Sequence, residues 1–177
     1  STSSIATAVN SKIIKGMPVY DFNAPIYITS FSKNGMVKRT KLNEFKVQRY
    51  SKPINMMKLK DKDEIINASY DNKENIFIAT QNGYGLWYKT NEVSPVGIKA
   101  AGVKSINLKN DTVVSGELFD NTTYISIITD KGTAKRLKFE ELEQGTRANR
   151  GTLLMKEIKS NPSKIVNIYR SLTLFLT

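Results

Sequence analysis

The sequence predicts an all-β protein assembled as an array of four-stranded blades. Two observations carry this reading. One phrase is written three times, as SKNGMVKRTKLNEF (32–45), TQNGYGLWYKTNEV (80–93) and TDKGTAKRLKFEEL (129–142). No segment sustains the 3.6-residue apolar period of a helix, and LKFEELEQ offers a turn or two at most.

Gly35, Gly83 and Gly132 set the period, 48 and 49 residues apart. A second landmark follows each, at EIINAS (64–69), TVVSGE (112–117) and KIVNIY (164–169), and an earlier copy, KIIKGM (12–17), precedes them. The expected units are 19–70, 71–118 and 119–170, with 1–18 the tail of an upstream blade and 171–177 the start of a truncated one. Each unit opens on a strand rich in β-branched and aromatic residues: IYITSFS, IFIATQ, YISIITD. Asn34-Gly35 and Asn82-Gly83 signal type I′ hairpins, with Lys131-Gly132 a weaker form. The arms MVKRTKL, YGLWYKT and TAKRLKF come next. A polar loop leads to a third arm (INMMKLK, VKSINLK, LLMKEIK), and a polar turn leads to the last strand. A unit of about 50 residues cannot cover both faces of its own sheet, so it stacks on its neighbours as propeller blades do.

Composition narrows the function. There is no Cys and no His, which removes thiol chemistry, His-based triads and nearly all zinc sites. No apolar run approaches the length that spans a bilayer, and the first residues lack the basic start of a signal peptide. An opening Ser1 and a close on SLTLFLT, inside a strand pattern, lead us to expect a segment of a longer protein. The net charge of +11 and a pI near 9.7 favour an anionic partner, nucleic acid first and an acidic membrane surface second. The charge is uneven: +7 in residues 1–70, zero in 71–118 and +4 in 119–177.

FSKNGMVKRTKLNEFKVQRYSKPINMMKLKDKDEII and QNGYGLWYKTNEVSPVGIKAAGVKSINLKNDTVVSG resemble the C-terminal domain of the bacterial topoisomerase IV A subunit, which is similar to its counterpart in the DNA gyrase A subunit. The resemblance runs from about Lys12 to Tyr169. It implies a β-pinwheel, a propeller-like array whose strand connections differ from a true propeller, here about three blades with partial blades at the ends. It further implies a non-catalytic domain that binds and bends duplex DNA and tunes which DNA topology is processed, in decatenation or supercoil relaxation. The strand-passage reaction, with ATP and Mg²⁺, would belong to the rest of a heterotetramer that includes the topoisomerase IV B subunit. The implied location is cytoplasmic and nucleoid-associated, membrane-proximal in some family members. The gyrase domain wraps DNA through a Gln- and Gly-rich basic motif. The equivalent loops here, QRYSK (48–52), GIKAA (97–101) and GTRANR (145–150), keep basic residues but not the glycine run, which favours topoisomerase IV.

Repetition brings equivalent positions of successive blades onto one rim, and phosphate binding needs Lys and Arg along it. One expected set follows the hairpin turns: Lys38, Arg39 and Lys41, then Lys135, Arg136 and Lys138. The middle unit reads Leu86, Trp87, Tyr88 and Lys89 there, which suits blade packing or base stacking. A second set lies in the loops: Lys46, Arg49 and Lys52, then Lys99 and Lys104, then Arg147 and Arg150. Arg49-Tyr50 imitates the pair at a DNA-cleaving tyrosine, which needs activating basic groups and metal-binding carboxylates; here the pair sits in a loop of a blade, and the resemblance implies that the cleaving tyrosine belongs to a separate upstream domain. Asp61, Asp63 and Glu64 read as a β-turn with solvated charge rather than a cation site, since no calcium-loop spacing is present. No catalytic residue, metal ligand or cofactor of its own is expected. The competing readings are a gyrase-type DNA-wrapping domain and a protein-binding propeller-like scaffold.

Overall fold

A computed structural model of the chain describes residues 3–9, 12–46, 55–60, 62–156 and 162–171. An initial hairpin pairs β1 (Ser3–Val9) with β2 (Lys12–Val19). The first unit then supplies β3 (Tyr27–Ser32), β4 (Met36–Lys41) and β5 (Ile65–Ser69). The second supplies β6 (Asn75–Thr80), β7 (Tyr84–Lys89), β8 (Val103–Lys104) and β9 (Val113–Phe119). The third supplies β10 (Tyr124–Thr129), β11 (Ala134–Lys138), β12 (Thr152–Leu153) and β13 (Ile165–Ser171). No α-helix occurs among the described residues; short 3-10 turns at Leu42–Phe45, Thr90–Glu92 and Phe139–Glu141 follow the second arm of each unit.

The sheets do not coincide with the sequence units. Their strand orders are β5-β3-β4-β8, β12-β7-β6-β9 and β11-β10-β13, so β8 and β12 each complete the sheet of the preceding unit. The third arms of the second and third units therefore cross to a neighbour, and in VKSINLK only Val103 and Lys104 form strand. Close approach explains this. A Cβ on Gly102 would lie 2.7 Å from the Val37 carbonyl, and one on Gly151 would meet the Gly85 carbonyl, so only glycine lets the arm reach that edge. The N–H groups of Ser105 and Leu154 then donate to the Gly35 and Gly83 carbonyls, each at 2.7 Å.

The hairpins also differ from expectation. A type I′ turn needs positive φ at both central residues, yet Gly35, Gly83 and Gly132 alone are left-handed there, at +85°, +98° and +73°. Each turn closes instead from the glycine N–H to the residue three back: Ser32, Thr80 or Thr129. The hydroxyls of Ser32 and Thr80 accept from the N–H groups of Met36 and Tyr84, at 3.0 and 3.1 Å, which favours this wider loop. Asp63 accepts from the N–H of Asn34 and of Glu64, and Asp111 from those of Asn82 and Thr112. These acids tie the hairpin tip to the last strand. Asp61 lies outside the described residues.

The core lies between sheets. Phe31 and Val37 pack on Ile76, Ile78, Leu86, Tyr88 and Ile106 of the next unit, and Phe77 and Phe119 pack on Ile125, Ile127, Ile165 and Ile168 of the one after. Every residue of β6 is buried, whereas β10 alternates buried and half-buried. A sheet covered on both faces reads as a continuous apolar run; one covered on a single face alternates.

Candidate nucleic-acid interface

The polar loops build one continuous band. Lys58, in the third arm of the first unit, bridges Ala101 of the second loop. The N–H of Ala148 donates to the Ser105 carbonyl and that of Asn107 to the Asn149 carbonyl, both at 2.9 Å, joining the second loop to the third. Within the second loop a turn closes from the Ala100 N–H to the Gly97 carbonyl. The preceding unit holds this turn: Lys38 Nζ donates to the Ile98 carbonyl at 2.8 Å, and Glu44 Oε1 accepts from the Ile98 N–H at 3.4 Å. Lys99 and Lys104 are thereby presented exposed on an anchored loop.

Arg147 is the clamp of the band. Its Nη1 donates to the Lys104 carbonyl at 2.8 Å, its Nε to the Glu92 carbonyl at 3.1 Å, and its backbone N–H to Glu92 Oε1 at 3.0 Å. Arg150, half-buried, stacks its guanidinium 4.1 Å over the Tyr84 ring. Lys41 and Lys46 are exposed at the two sides of the first 3-10 turn, and Lys138 is exposed at the start of the third. Arg49 and Lys52 lie outside the described residues.

Two expected rim residues are turned inward. Lys38 is only 1% exposed and its ammonium is used on the Ile98 carbonyl, so it is a positioning residue rather than a phosphate contact. Arg39 is half-buried: it stacks 4.3 Å from the Tyr27 ring centre while Nη1 donates to the carbonyls of Val93 (3.0 Å) and Thr90 (3.4 Å) of the next unit. The equivalent residue in the middle unit is Trp87, whose Nε1 donates to the Leu142 carbonyl at 3.0 Å and whose ring packs against Phe119 and Phe139. Arginine and tryptophan thus perform the same joining task, and the middle copy can lack charge there without losing it. Tyr88 is wholly buried, its hydroxyl 2.6 Å from Ser105 Oγ, and burial raises its pKa above the ordinary value.

The strand positions misled because alternation tells which residues share a face but not which face a neighbouring blade covers. Conversely, Lys58, Lys60 and Lys109 are exposed on or beside the band and were missed. Their signal lay in the third arms, where INMMKLK and VKSINLK both end on lysine.

Burial lowers the Lys38 pKa from its ordinary 10.5, with Glu44 partly opposing. The folded state therefore binds this proton less tightly than the unfolded chain, and stability rises as pH climbs from the folded pKa towards 10.5. Lys38→Met is expected to fold, to remove that increment from the pH–stability curve, and to leave the salt dependence of DNA binding unchanged. A fall of about one in the log–log salt slope would instead make Lys38 a phosphate contact.

Comparison with known proteins places these features. The family described as DNA gyrase C-terminal domain, beta-propeller, matches residues 27–69, 74–119 and 123–171. The A subunit of DNA topoisomerase 4 from Bacillus subtilis (strain 168) is 45% identical over 159 residues, covering 89% of this chain and 20% of that protein. Its counterpart in Staphylococcus epidermidis (strain ATCC 12228 / FDA PCI 1200) is 43% identical over 148 residues, covering 82% of this chain and 18% of that protein. The chain thus spans about a fifth of the length of these relatives. Among solved structures, the C-terminal domain of DNA topoisomerase IV superposes with a TM-score of 0.87 at 40% identity, over 90% of this chain and 50% of that one. The E. coli ParC C-terminal domain shares the fold, with a TM-score of 0.70 at 14% identity over 88% of this chain and 65% of that one.

Proposed function

From the premise that the chain belongs to the DNA gyrase C-terminal domain, beta-propeller family, we propose that it is the DNA-binding portion of a topoisomerase IV A subunit and carries no catalytic step itself. The observation that supports this best is the loop band, where three units joined by backbone hydrogen bonds present Lys99, Lys104 and Arg150. Lys41, Lys46 and Lys138 extend the basic surface from the strand ends. Such a track neutralises phosphates and displaces their condensed counterions without reading base edges, because its cations stand on loops and strand ends spaced along the backbone.

A duplex held by loops of successive units is proposed to bend along them. On this reading the domain selects DNA crossings or supercoils, and its loss changes which substrate is processed more than whether DNA is cut. Among the described residues no cluster of acidic side chains is placed to hold a metal. The proposal assigns ATP and Mg²⁺ to the rest of a holoenzyme completed by the B subunit and acting on chromosomal DNA in the cytoplasm.

The test is fluorescence anisotropy with a short random-sequence duplex across a salt series. Affinity is expected to fall steeply and linearly on a log–log plot, with little difference between unrelated sequences. Absence of binding at low salt, or binding indifferent to salt, would overturn the reading.

A further inference from the structure

The basic band holds an acid at a fixed place. Glu44 and Glu92 stand at matching positions in their 3-10 turns, each directly before a buried apolar residue, Phe45 or Val93. Each reaches across to the loop of the next unit. That loop folds into a four-residue turn, closed from the Ala100 N–H to the Gly97 carbonyl in one copy and from the Asn149 N–H to the Thr146 carbonyl in the other. Such a turn uses the amide of its last residue and leaves those of its two central residues without a partner in the turn. The glutamate takes the first of them: Glu92 Oε1 accepts from the Arg147 N–H at 3.0 Å, and Glu44 Oε1 from the Ile98 N–H at 3.4 Å. In the turn 146–149 the other central amide, that of Ala148, goes to the Ser105 carbonyl.

Neither carboxylate forms an ion pair among the described residues, where the paired acids are Glu64, Asp71 and Glu117. The Arg147 guanidinium bonds to the backbone carbonyls of Glu92 and Lys104 rather than to the Glu92 carboxylate. Glu92 is half-buried, Glu44 exposed. The turn that Glu92 holds is also strained. Ala148 lies at φ +70°, a conformation that a residue with a Cβ adopts when its surroundings impose it. Arg150 follows directly, stacked over Tyr84. In the third unit the matching Glu141 is exposed, as are Lys135 and Arg136 on the arm before it.

We propose that Glu92 is a positioning residue for phosphate binding, acting through the Arg147 amide on the turn 146–149 and hence on the presentation of Arg150. Charge and position then pull in opposite directions. A carboxylate beside a basic track repels phosphate, so its removal would strengthen duplex binding if charge were all it contributed. A turn released from its anchor samples other conformations, and ordering it again on the duplex costs affinity. The second effect is the larger, because a hydrogen bond to an ionised acceptor is the stronger kind while repulsion at the surface is screened by salt. Glu44 holds the turn 97–100, which carries Lys99, in the same way. Its hold is weaker, since the bond is longer and Lys38 also fixes the Ile98 carbonyl. This role rests on the DNA-binding reading.

The experiment measures duplex anisotropy at one intermediate salt concentration, below the melting temperature of every variant, with folding checked by circular dichroism. Glu92→Ala is expected to bind about fivefold more weakly than the parent, and Glu92→Gln, which keeps an acceptor oxygen without the charge, to bind at least as tightly as the parent. A merely stabilising side chain would move the melting temperature and leave affinity alone. In an Arg150→Ala background the Glu92→Ala effect is expected to shrink to within about twofold, since residues acting as one unit do not add. Glu44→Ala, from an exposed position, is expected to weaken binding about twofold, and carries the test if Glu92→Ala does not fold. Tighter binding by Glu92→Ala or Glu44→Ala, equal affinity of Glu92→Ala and the parent, or an undiminished effect in the Arg150→Ala background overturns the proposal. A parent chain that does not bind duplex fails the DNA reading itself, whereas a parent that binds and variants that match it sink only the role of Glu92.

Discussion

Gly151→Ala is expected to destabilise the fold by about 3–5 kcal/mol, read as a lowered urea midpoint at unchanged slope. Two costs combine. Gly151 has φ +84°, where alanine is disfavoured by about 1–2 kcal/mol. Its Cβ would also be driven into the Gly85 carbonyl and to 3.0 Å from Leu86 Cβ, and these are backbone and core atoms that cannot swing aside. Relief would pull β12 off β7, break the Leu154-to-Gly83 hydrogen bond, and loosen Leu154, which is 3% exposed. Gly132→Ala is the matched control. It has the same left-handed backbone, at φ +73°, but open space around it, so a loss of only about 1 kcal/mol is expected. Equal losses at the two sites would show that conformation alone, and not the close approach of units, makes Gly151 necessary.

Replacing Lys99, Lys104 and Arg150 together by glutamate is expected to abolish measurable duplex binding at physiological salt. The alanine triple should lower the log–log salt slope by about 2.7, from about 0.9 for each phosphate contact. Lys99 and Lys104 are exposed, and Arg150 makes its described contact with a tyrosine ring, so the variants should retain the strand signature in circular dichroism. Arg147→Ala should behave differently. Losing the clamp on Glu92 and Lys104 should lower thermal stability as well as affinity, since it frees the loop that carries the contacts. A glutamate triple that binds as tightly as the parent, with an unchanged slope, would move the DNA surface elsewhere.

Much of the architecture was legible because it is repeated. Three glycines at even spacing, each behind an apolar strand and ahead of an alternating arm, locate three hairpins before any coordinate is seen. The continuous burial of β6 was legible too, in the run NIFIAT. The partner of the third arm was not. VKSINLK reads as a strand of its own unit, yet Val103 and Lys104 pair with β4, because pairing is decided by which edge lies within reach after folding. The hairpin type was misjudged at Asn34-Gly35, where the Ser32 hydroxyl on the Met36 N–H favours the wider loop.

The candidate site divides along the same line. The exposure of basic residues such as Lys99 and Lys104 was legible in the sequence, since a polar loop between strands stays at the surface. Lys38 and Arg39 were not separable from Lys41: all three are basic, consecutive or alternate, and on one arm. Burial distinguishes them, and burial here is conferred by the next unit, roughly fifty residues away.

The repeat, the strands, the excess of positive charge and the family follow from the order of residues. Which cations face solvent and which join blades follows from the assembly of the units. The physical reason is that local pattern sets the direction of each side chain, while the exchange of short strands between units sets what that side chain meets.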